Sequence, residues 1–350
     1  ISRVEERNNG VDHGGISAAL SLMQYMVEHQ ESMKSNVPLV LVGVREDVDG
    51  PIYSDYMSGL VKSAKLEHLN ILFQHLTVEV RNNDYSDLWK SMNDVLLNGK
   101  RLPFDELDVV YRQGNLYAPR VVSAPEISSV DSGDFMLTEK GTYLITGGLG
   151  ALGLLFAKQL TSSGAKHLVL LSRSSPKPEV EEQLNELRSS GCDVKAIQCD
   201  VSKKEDVETM LTSVRETMPP IRGILHSAGV LDDATIENQS IERFEKVFLP
   251  KVSGAWNLHE CTLAMGIELD FFVFFSSIAS LLGSPGQSNY AAANAALDGL
   301  AHYRRSLGLA GVSIQWGAWT AAGMAAERDT VKRLEAQGIS GIDNELGCNA

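Results

Sequence analysis

The sequence predicts an α/β protein built on a doubly wound, mostly parallel sheet, preceded by a second, weaker α/β region. Three observations carry that prediction. Strand-like and helix-like runs alternate along most of the 350 residues. The alternation restarts more cleanly at residue 141. One junction there, "GTYLITGGLGALGLLFAKQL" (141–160), runs strand, glycine turn, helix. Repeated β-then-α units favour a parallel sheet, because each parallel return needs a crossover that a helix supplies.

In the first region, "GGISAALSLMQYMVEHQ" (14–30) has helical apolar spacing and "VPLVLVGV" (37–44) is a buried-strand run. "SGLVKSAKLEH" (58–68) reads as helix, "NILFQHLTVEV" (70–80) as strand and "YSDLWKSMNDVLL" (85–97) as helix. "LDVVYRQGNLYAPRVV" (107–122) reads as two strands around a Gln-Gly turn. The polar stretch "SAPEISSVDSGDF" (123–135) marks the expected junction, so residues 1–135 and 136–350 are expected as two subdomains. In the second, strands are expected at 142–146, 167–172, 194–198, 222–226, 270–276 and 312–316. Helices fill 151–163, 178–190, 203–217, 241–265 and 287–308. Strands and helices in that order describe a Rossmann sheet, and the first region reads as a degenerate copy lacking a glycine loop.

Composition narrows the function classes. With 43% hydrophobic and 22% charged residues the chain can bury a sizeable core. Its net charge of −14 argues against a nucleic-acid surface. No apolar run approaches the roughly 18 residues of a membrane helix; the densest, "LDFFVFF" (269–275), suits a buried strand. Cys192, Cys199, Cys261 and Cys348 form no CxxC pair, so neither a disulfide framework nor a metal site is expected, and a cytoplasmic setting fits. The chain opens mid-pattern at Ile1 and reads as a piece of something longer.

The glycine turn is the first functional signal. Gly147, Gly150 and Gly153 recur every third residue. The first permits a tight turn, the second lets backbone approach a pyrophosphate, and the third lets the helix pack closely. The helix N-terminus then offers free N–H groups to the anion. The next strand ends in Ser172 and Arg173, where an NAD site would place an acid. A guanidinium there suits a 2′-phosphate, so NADPH is the expected cofactor. Asp200, followed by Val201, could accept from the adenine amino group or cap the following helix. "HSAGV" places Ser227, Ala228 and Gly229 after the fourth strand, small enough for a cofactor to lie against the backbone.

The second signal is Ser277 at the end of "FFVFFSS" and Tyr290, which lies 13 residues on (290 − 277). Two hydroxyls aimed at one carbonyl oxygen would polarise it, and the tyrosine would donate the proton. A phenol of ordinary pKa about 10 needs a nearby cation for such work near neutral pH. The seat one helical turn on holds Asn294, not a lysine.

Taken together, "TGGLGALG", "LLSRSS", "CDVS", "HSAGVLDD", "PKVSGAWNLH", "FFSSIASLLGSPGQSNYAAANAALDGLA" and "SIQWGAW" resemble a ketoreductase domain of a modular polyketide synthase, within the short-chain dehydrogenase/reductase superfamily. The likeness covers about 141–345, and residues 1–135 more loosely resemble that family's structural subdomain. The resemblance implies a multifunctional enzyme that reduces a β-ketoacyl thioester carried on an acyl carrier protein. It also implies NADPH held by Thr146, Gly147, Gly148, Leu149, Gly150, Gly153, Ser172, Arg173, Asp200, Val201, Ser227, Ala228 and Gly229, with Lys251 and Tyr290.

In such ketoreductases lysine and asparagine exchange places. The cation is then Lys251, arriving from the preceding helix to lower the Tyr290 pKa, and Asn294 helps hold the lysine or a relay water. "LDD" (231–233) resembles the B-type marker, with Asp233 diagnostic, and no tryptophan lies between Ser277 and Tyr290. The implied product is the D-configured β-hydroxy thioester, with Gln287 and Met324 at the substrate; Met324 could equally be a core side chain. Residues 320–338 would form a lid. The carrier would dock on a local basic patch and other synthase domains would flank this one; epimerisation of an α-methyl centre stays open. Two departures stand out: the first region matches only the later part of the family's structural subdomain, and the chain ends soon after the lid. A free-standing alcohol dehydrogenase and a non-catalytic scaffold domain are the alternative readings.

Overall fold

The computed structural model describes residues 13–31, 38–46, 55–80, 85–93, 106–122, 137–321, 323 and 340–348. These fall into two compact units, and the grouping does not follow the linear order of the chain. One is drawn from Ile1–Val122, Val230–Val252 and Ser276–Gln315, the other from Ser123–Gly229, Ser253–Phe275 and Trp316–Ala350.

The first unit contains α1 (His13–Glu28), β1 (Leu39–Glu46), α2 (Asp55–Glu67), β2 (Phe73–Val80), α3 (Ser86–Met92), β3 (Asp108–Arg112) and β4 (Asn115–Tyr117). Strands β1, β2 and β3 are parallel, and β4 returns antiparallel to β3, in the order β1-β2-β3-β4. The Gln-Gly turn expected between the last two forms with positive φ at both Gln113 (49°) and Gly114 (82°). That is the hairpin turn whose twist matches the strands it joins. All eight residues of β2 are buried, as a central strand covered on both faces requires. Leu76, Val78, Val80, Val109 and Tyr111 form a core cluster on β2 and β3.

The second unit holds β5 (Thr142–Thr146), α4 (Ala151–Ser162), β6 (His167–Ser172), α5 (Pro178–Ser189), β7 (Asp193–Gln198), α6 (Lys204–Thr217), β8 (Ile221–His226), α8 (Gly254–Ala264) and β9 (Phe271–Ser277), whose last two residues belong to the first unit. Its parallel strands run β9-β8-β5-β6-β7. The strand order reverses beside β5, which makes this a doubly wound Rossmann-type sheet with a switch point at the carboxyl end of β5. The sixth expected strand forms as β10 (Val312–Trp316). Phe156, Phe275, Trp316 and Trp319 pack as a ring cluster with centroids 4.8–6.1 Å apart. A short helix, α11 (Asn344–Cys348), lies near the end of the chain.

One expected element breaks. Residues 241–265 form α7 (Ile241–Phe248), a π-helical turn (Leu249–Ser253) and α8 rather than a single helix. Pro250 lies inside the turn. It has no N–H to donate and its ring crowds the carbonyl four residues back, so the regular ladder cannot continue through it. Residues 94–97 of the expected third helix and the junction at 123–135 lie outside the described residues, as does the lid except for 320, 321 and 323. No described helix is long and apolar enough to cross a membrane.

Helix α2 lies against α10 (Ser288–Ser306), the helix whose first turn carries Tyr290. They approach closely at Gly59, where an added Cβ would sit 2.4 Å from the carbonyl oxygen of Ala291. Alanine favours a helix over glycine by about 1 kcal/mol, whereas overpacking costs about 1–3 kcal/mol. Gly59→Ala should therefore destabilise the protein on balance, seen as a lower urea midpoint; an unchanged or raised midpoint would show that the two helices can separate freely.

Candidate active site

The glycine turn follows β5, all of whose residues are buried. Gly147 has φ +64°, and a Cβ there would meet Ala228 Cα at 3.1 Å. A Cβ on Gly148 would lie 2.7 Å from both Ile145 O and Leu170 Cβ. One on Gly153 would lie 2.4 Å from Gly147 O, so Gly153 lets α4 seat against the turn itself rather than against a strand. At Gly150 the single near atom would be Gly147 O, at 3.2 Å. Gly150 is also the N-cap of α4, and no side chain caps that end. The turn is thus packed tight on its inner side while a helix N-terminus stays uncapped, an arrangement that fits a dinucleotide pyrophosphate.

Around the turn, several predicted residues hold one another. The Thr146 hydroxyl, fully buried, lies 2.9 Å from His226 Nδ1 and accepts from Ala228 N at 3.0 Å. Ser227 Oγ donates to Thr146 O at 2.7 Å. These bonds lock the ends of β5 and β8 together. Arg173 is exposed after β6, and its carbonyl accepts from Gln198 Nε2 at 2.9 Å. Of the two roles open to Asp200, the structure removes one. The N-cap of α6 is Lys203, and Asp200 Oδ1 accepts instead from Ser202 N and Oγ at 3.1 and 2.7 Å. Val201 is buried, and its carbonyl accepts from Asn257 Nδ2 at 2.9 Å.

The hydroxyl residues lie in the first unit. Because strand side chains alternate, the two serines ending β9 part company. Ser276 Oγ donates to Asn294 O at 3.3 Å, whereas Ser277 faces the Tyr290 phenol. The chain between them folds back through α9 (Ala279–Leu282) and two positive-φ glycines, Gly283 and Gly286. Tyr290 and Ser277 are half-buried, while Lys251 is 3% exposed and Asn294 fully buried. Lys251 Nζ lies 5.5 Å from the Tyr290 ring centroid. It arrives from the π-helical turn rather than from a regular helix. Asn294 Nδ2 donates to Tyr290 O at 2.8 Å, and its Oδ1 is buried without a hydrogen-bond partner among the described residues.

Burial pushes the Tyr290 phenol above its ordinary value; the Ser277 hydroxyl and the Asn294 side chain work against that, and the Asp233 charge adds to it. Burial also lowers the Lys251 ammonium, to about 8, with Asp298 opposing. Gln287 Nε2 donates to Asp233 Oδ1 at 3.2 Å, joining the two stereocontrol candidates. Met324 lies outside the described residues.

Three residues escaped the sequence reading. Asp298 accepts from Ser280 Oγ at 2.7 Å and from the Ser313 hydroxyl. Tyr290, Asn294 and Asp298 follow one another at i, i+4 and i+8 on α10, a stripe that helical spacing alone could have flagged. Asn289 ties the tyrosine to the "LDD" segment, donating to Asp232 O at 2.8 Å while its Oδ1 accepts from Tyr290 N at 2.8 Å. Asp232 is itself fixed by ion pairs with Arg243 and with Lys246, the latter at 2.8 Å. No spacing rule would have disclosed either of these.

The KR domain family model matches residues 141–321. The phenolphthiocerol synthesis polyketide synthase type I Pks15/1 of Mycobacterium marinum (strain ATCC BAA-535 / M) is 44% identical over 209 residues, 58% of this chain and 10% of that protein. The chain thus spans about a tenth of the length of that curated relative. A ketoreductase domain from the bacillaene assembly line has TM-score 0.79 at 29% identity, covering 96% of this chain and 79% of its own. An A1-type ketoreductase has TM-score 0.83 at 29% identity, covering 97% and 72%.

A lysine whose pKa falls on folding costs stability wherever the unfolded chain would hold the proton and the folded chain resists it. For Lys251 that cost is full below about pH 8 and fades as pH rises toward 10.5. Lys251→Met should therefore stabilise the ligand-free protein at pH 7, by on the order of 3 kcal/mol. The advantage should close between pH 8 and 10.5; thermal melts across that range check it, and a pH-independent difference would contradict it.

Proposed function

The chain belongs to the KR domain family, the ketoreductase domains of polyketide synthases, and from that premise we propose that it reduces a β-ketoacyl thioester, presented by an acyl carrier protein, to the D-configured β-hydroxyacyl thioester with NADPH. The observation that carries the reading is the gathering of Ser277, Tyr290, Asn294 and a buried Lys251 around one phenol. An ammonium nine-tenths hidden from water is costly, and a fold that keeps one beside a tyrosine is consistent with catalysis.

In this reading Gly147, Gly148, Leu149, Gly150 and Gly153 hold the dinucleotide pyrophosphate at the α4 N-terminus. Ser172 and Arg173 meet the adenosine ribose, and the exposed Arg173 guanidinium favours a 2′-phosphate. Asp200 and Val201 lie at the adenine; Ser227, Ala228 and Gly229 line the path to the nicotinamide. When bound, the reduced nicotinamide supplies a hydride to the β-carbon. The Ser277 hydroxyl donates a hydrogen bond to the keto oxygen, and Tyr290 gives that oxygen its proton. The carbonyl π bond breaks, one C–H and one O–H bond form, and the thioester is untouched. A phenol raised by burial keeps its proton until the oxygen needs it. The Lys251 charge then balances the phenolate, and solvent restores the proton. The unpartnered Asn294 Oδ1 is suited to accept from the lysine or from a relay water.

The stereochemical assignment rests on Asp233, linked to Gln287, and on the lack of tryptophan between Ser277 and Tyr290. The relatives' length supports neighbouring synthase domains as partners. A scaffold role without chemistry gives no reason for the buried lysine.

Tyr290→Phe should lower turnover of a short β-keto thioester by about 10²–10⁴-fold, read as NADPH oxidation, and chiral analysis of the wild-type product should give the D alcohol. Arg173→Ala should raise KM for NADPH while leaving that for NADH unchanged. Because Lys251 must be charged to support the phenolate, kcat/KM should fall as pH rises through about 8; a flat profile to pH 10 would remove the lysine from this role.

A further inference from the structure

Helix α2 belongs to the region without a glycine loop, yet one of its side chains reaches the substrate-side loops. The Glu67 carboxylate accepts two backbone hydrogen bonds from segments remote in sequence. Oε1 accepts from Gly286 N at 2.8 Å, and Oε2 from Ile236 N at 2.6 Å. Gly286 immediately precedes Gln287, and Ile236 comes three residues after Asp233. The two segments also bond directly: Ala234 N donates to Gly286 O at 2.8 Å, and Ala234 bridges to Gln287 in parallel β fashion. Each oxygen of one ion thus fixes one of the two loops whose tips carry the Gln287–Asp233 contact.

Neighbouring bonds leave little slack. Gln24 of α1 donates to the carbonyls of Ile236 and Gln239, each at 3.0 Å. Ser63 Oγ accepts from Ser284 N at 3.1 Å, and Ser284 Oγ donates to Gln287 Oε1 at 2.8 Å. A Cβ on Gly283 would meet the Lys62 backbone at 2.7 Å. Of these groups Glu67 is the one that holds both loops at once. Hydrogen bonds to an ionised acceptor are stronger than neutral ones, and a glutamine would put a donor NH2 where one of the two accepting oxygens stands.

We propose that Glu67 is a positioning residue for substrate recognition, clamping the Ala234–Ile236 and Gly286–Gln287 segments so that Asp233 and Gln287 keep one arrangement toward the incoming acyl chain. The proposal rests on the ketoreductase reading above. It gives the cofactor-free region a defined role, that of setting the facial selectivity of a reaction to which it contributes no reacting atom.

The test is Glu67→Gln in the whole chain, with a β-keto thioester and NADPH. Losing one charge-assisted acceptor should raise KM for the thioester by roughly ten- to hundredfold, with a smaller effect on kcat, and should erode the enantiomeric ratio of the alcohol. The Kd for NADPH should stay within about twofold, because the glycine turn does not touch Glu67. Unchanged KM and enantiomeric ratio in the folded variant would overturn the proposal. So would a parallel loss of melting temperature, kcat and cofactor affinity, which marks a purely structural role. Amide hydrogen exchange tests the clamp without turnover: peptides spanning 230–240 and 280–290 should exchange faster in Glu67→Gln, and unchanged exchange there would refute the clamp. An inactive wild type with faster exchange in the variant would sink the reaction assignment but leave the clamp standing. Should Glu67→Gln fail to fold, Glu67→Asp, which keeps the charge on a shorter stem, undergoes the same measurements with the same criteria.

Discussion

The first unit is organised around an ammonium almost wholly withdrawn from water. Lys251 Nζ sits 5.5 Å from the centre of the Tyr290 ring, and burial, opposed by Asp298, brings it down to about 8. Removing a charge from water costs several kcal/mol unless neighbours compensate. Here compensation is partial: Asp298 favours the charged form, and the aromatic face offers a weak electrostatic contact. The surrounding elements must therefore be rigid enough to hold the lysine where it is. The π-helical turn forced by Pro250 aims it, and the face of α10 carrying Tyr290, Asn294 and Asp298 receives it.

Rigidity of α10 has a source in the region without a nucleotide loop. At Gly59 the backbone of α2 meets that of α10, and at Lys62 it meets Gly283 in the loop before α10, so closely that no side chain fits between them. Polar groups of α1 and α2 then satisfy backbone donors and acceptors at Ile236, Ser284 and Gly286. Unpaired buried backbone groups are costly, so these bonds fix loop positions as firmly as a regular ladder would. The proposed clamp is the point where the two substrate-side segments share one anion.

The second unit solves a separate problem with separate means. Its switch-point turn has glycine wherever a Cβ would strike backbone, and a helix N-terminus left uncapped. Thr146, Ser227 and His226 spend their polar atoms on one another and on backbone, so the end of β5 is preset. Such a site asks the ligand to do little ordering, which favours tight binding.

Much of this was legible in the chain alone. Six strands with intervening helices, down to the limits of β6 and β10, follow from hydrophobic runs and glycine punctuation, because these are local properties with a period of two or 3.6 residues. The glycine turn was readable for the same reason: strand, turn and helix are contiguous, and only glycine tolerates the backbone there. The stripe on α10, Asp298 included, lies within reach of the same reasoning. What no spacing could disclose was where distant segments meet. Glu67 is 169 residues from one of its partners and 219 from the other, and nothing in "VKSAKLEH" marks it as different from a solvated helix carboxylate. The fall of Lys251 to about 8 and the rise of the Tyr290 phenol are likewise consequences of burial. Residue types and spacing determined the elements and named the reactive groups; their charge states and their fixed positions were decided only when packing removed the water.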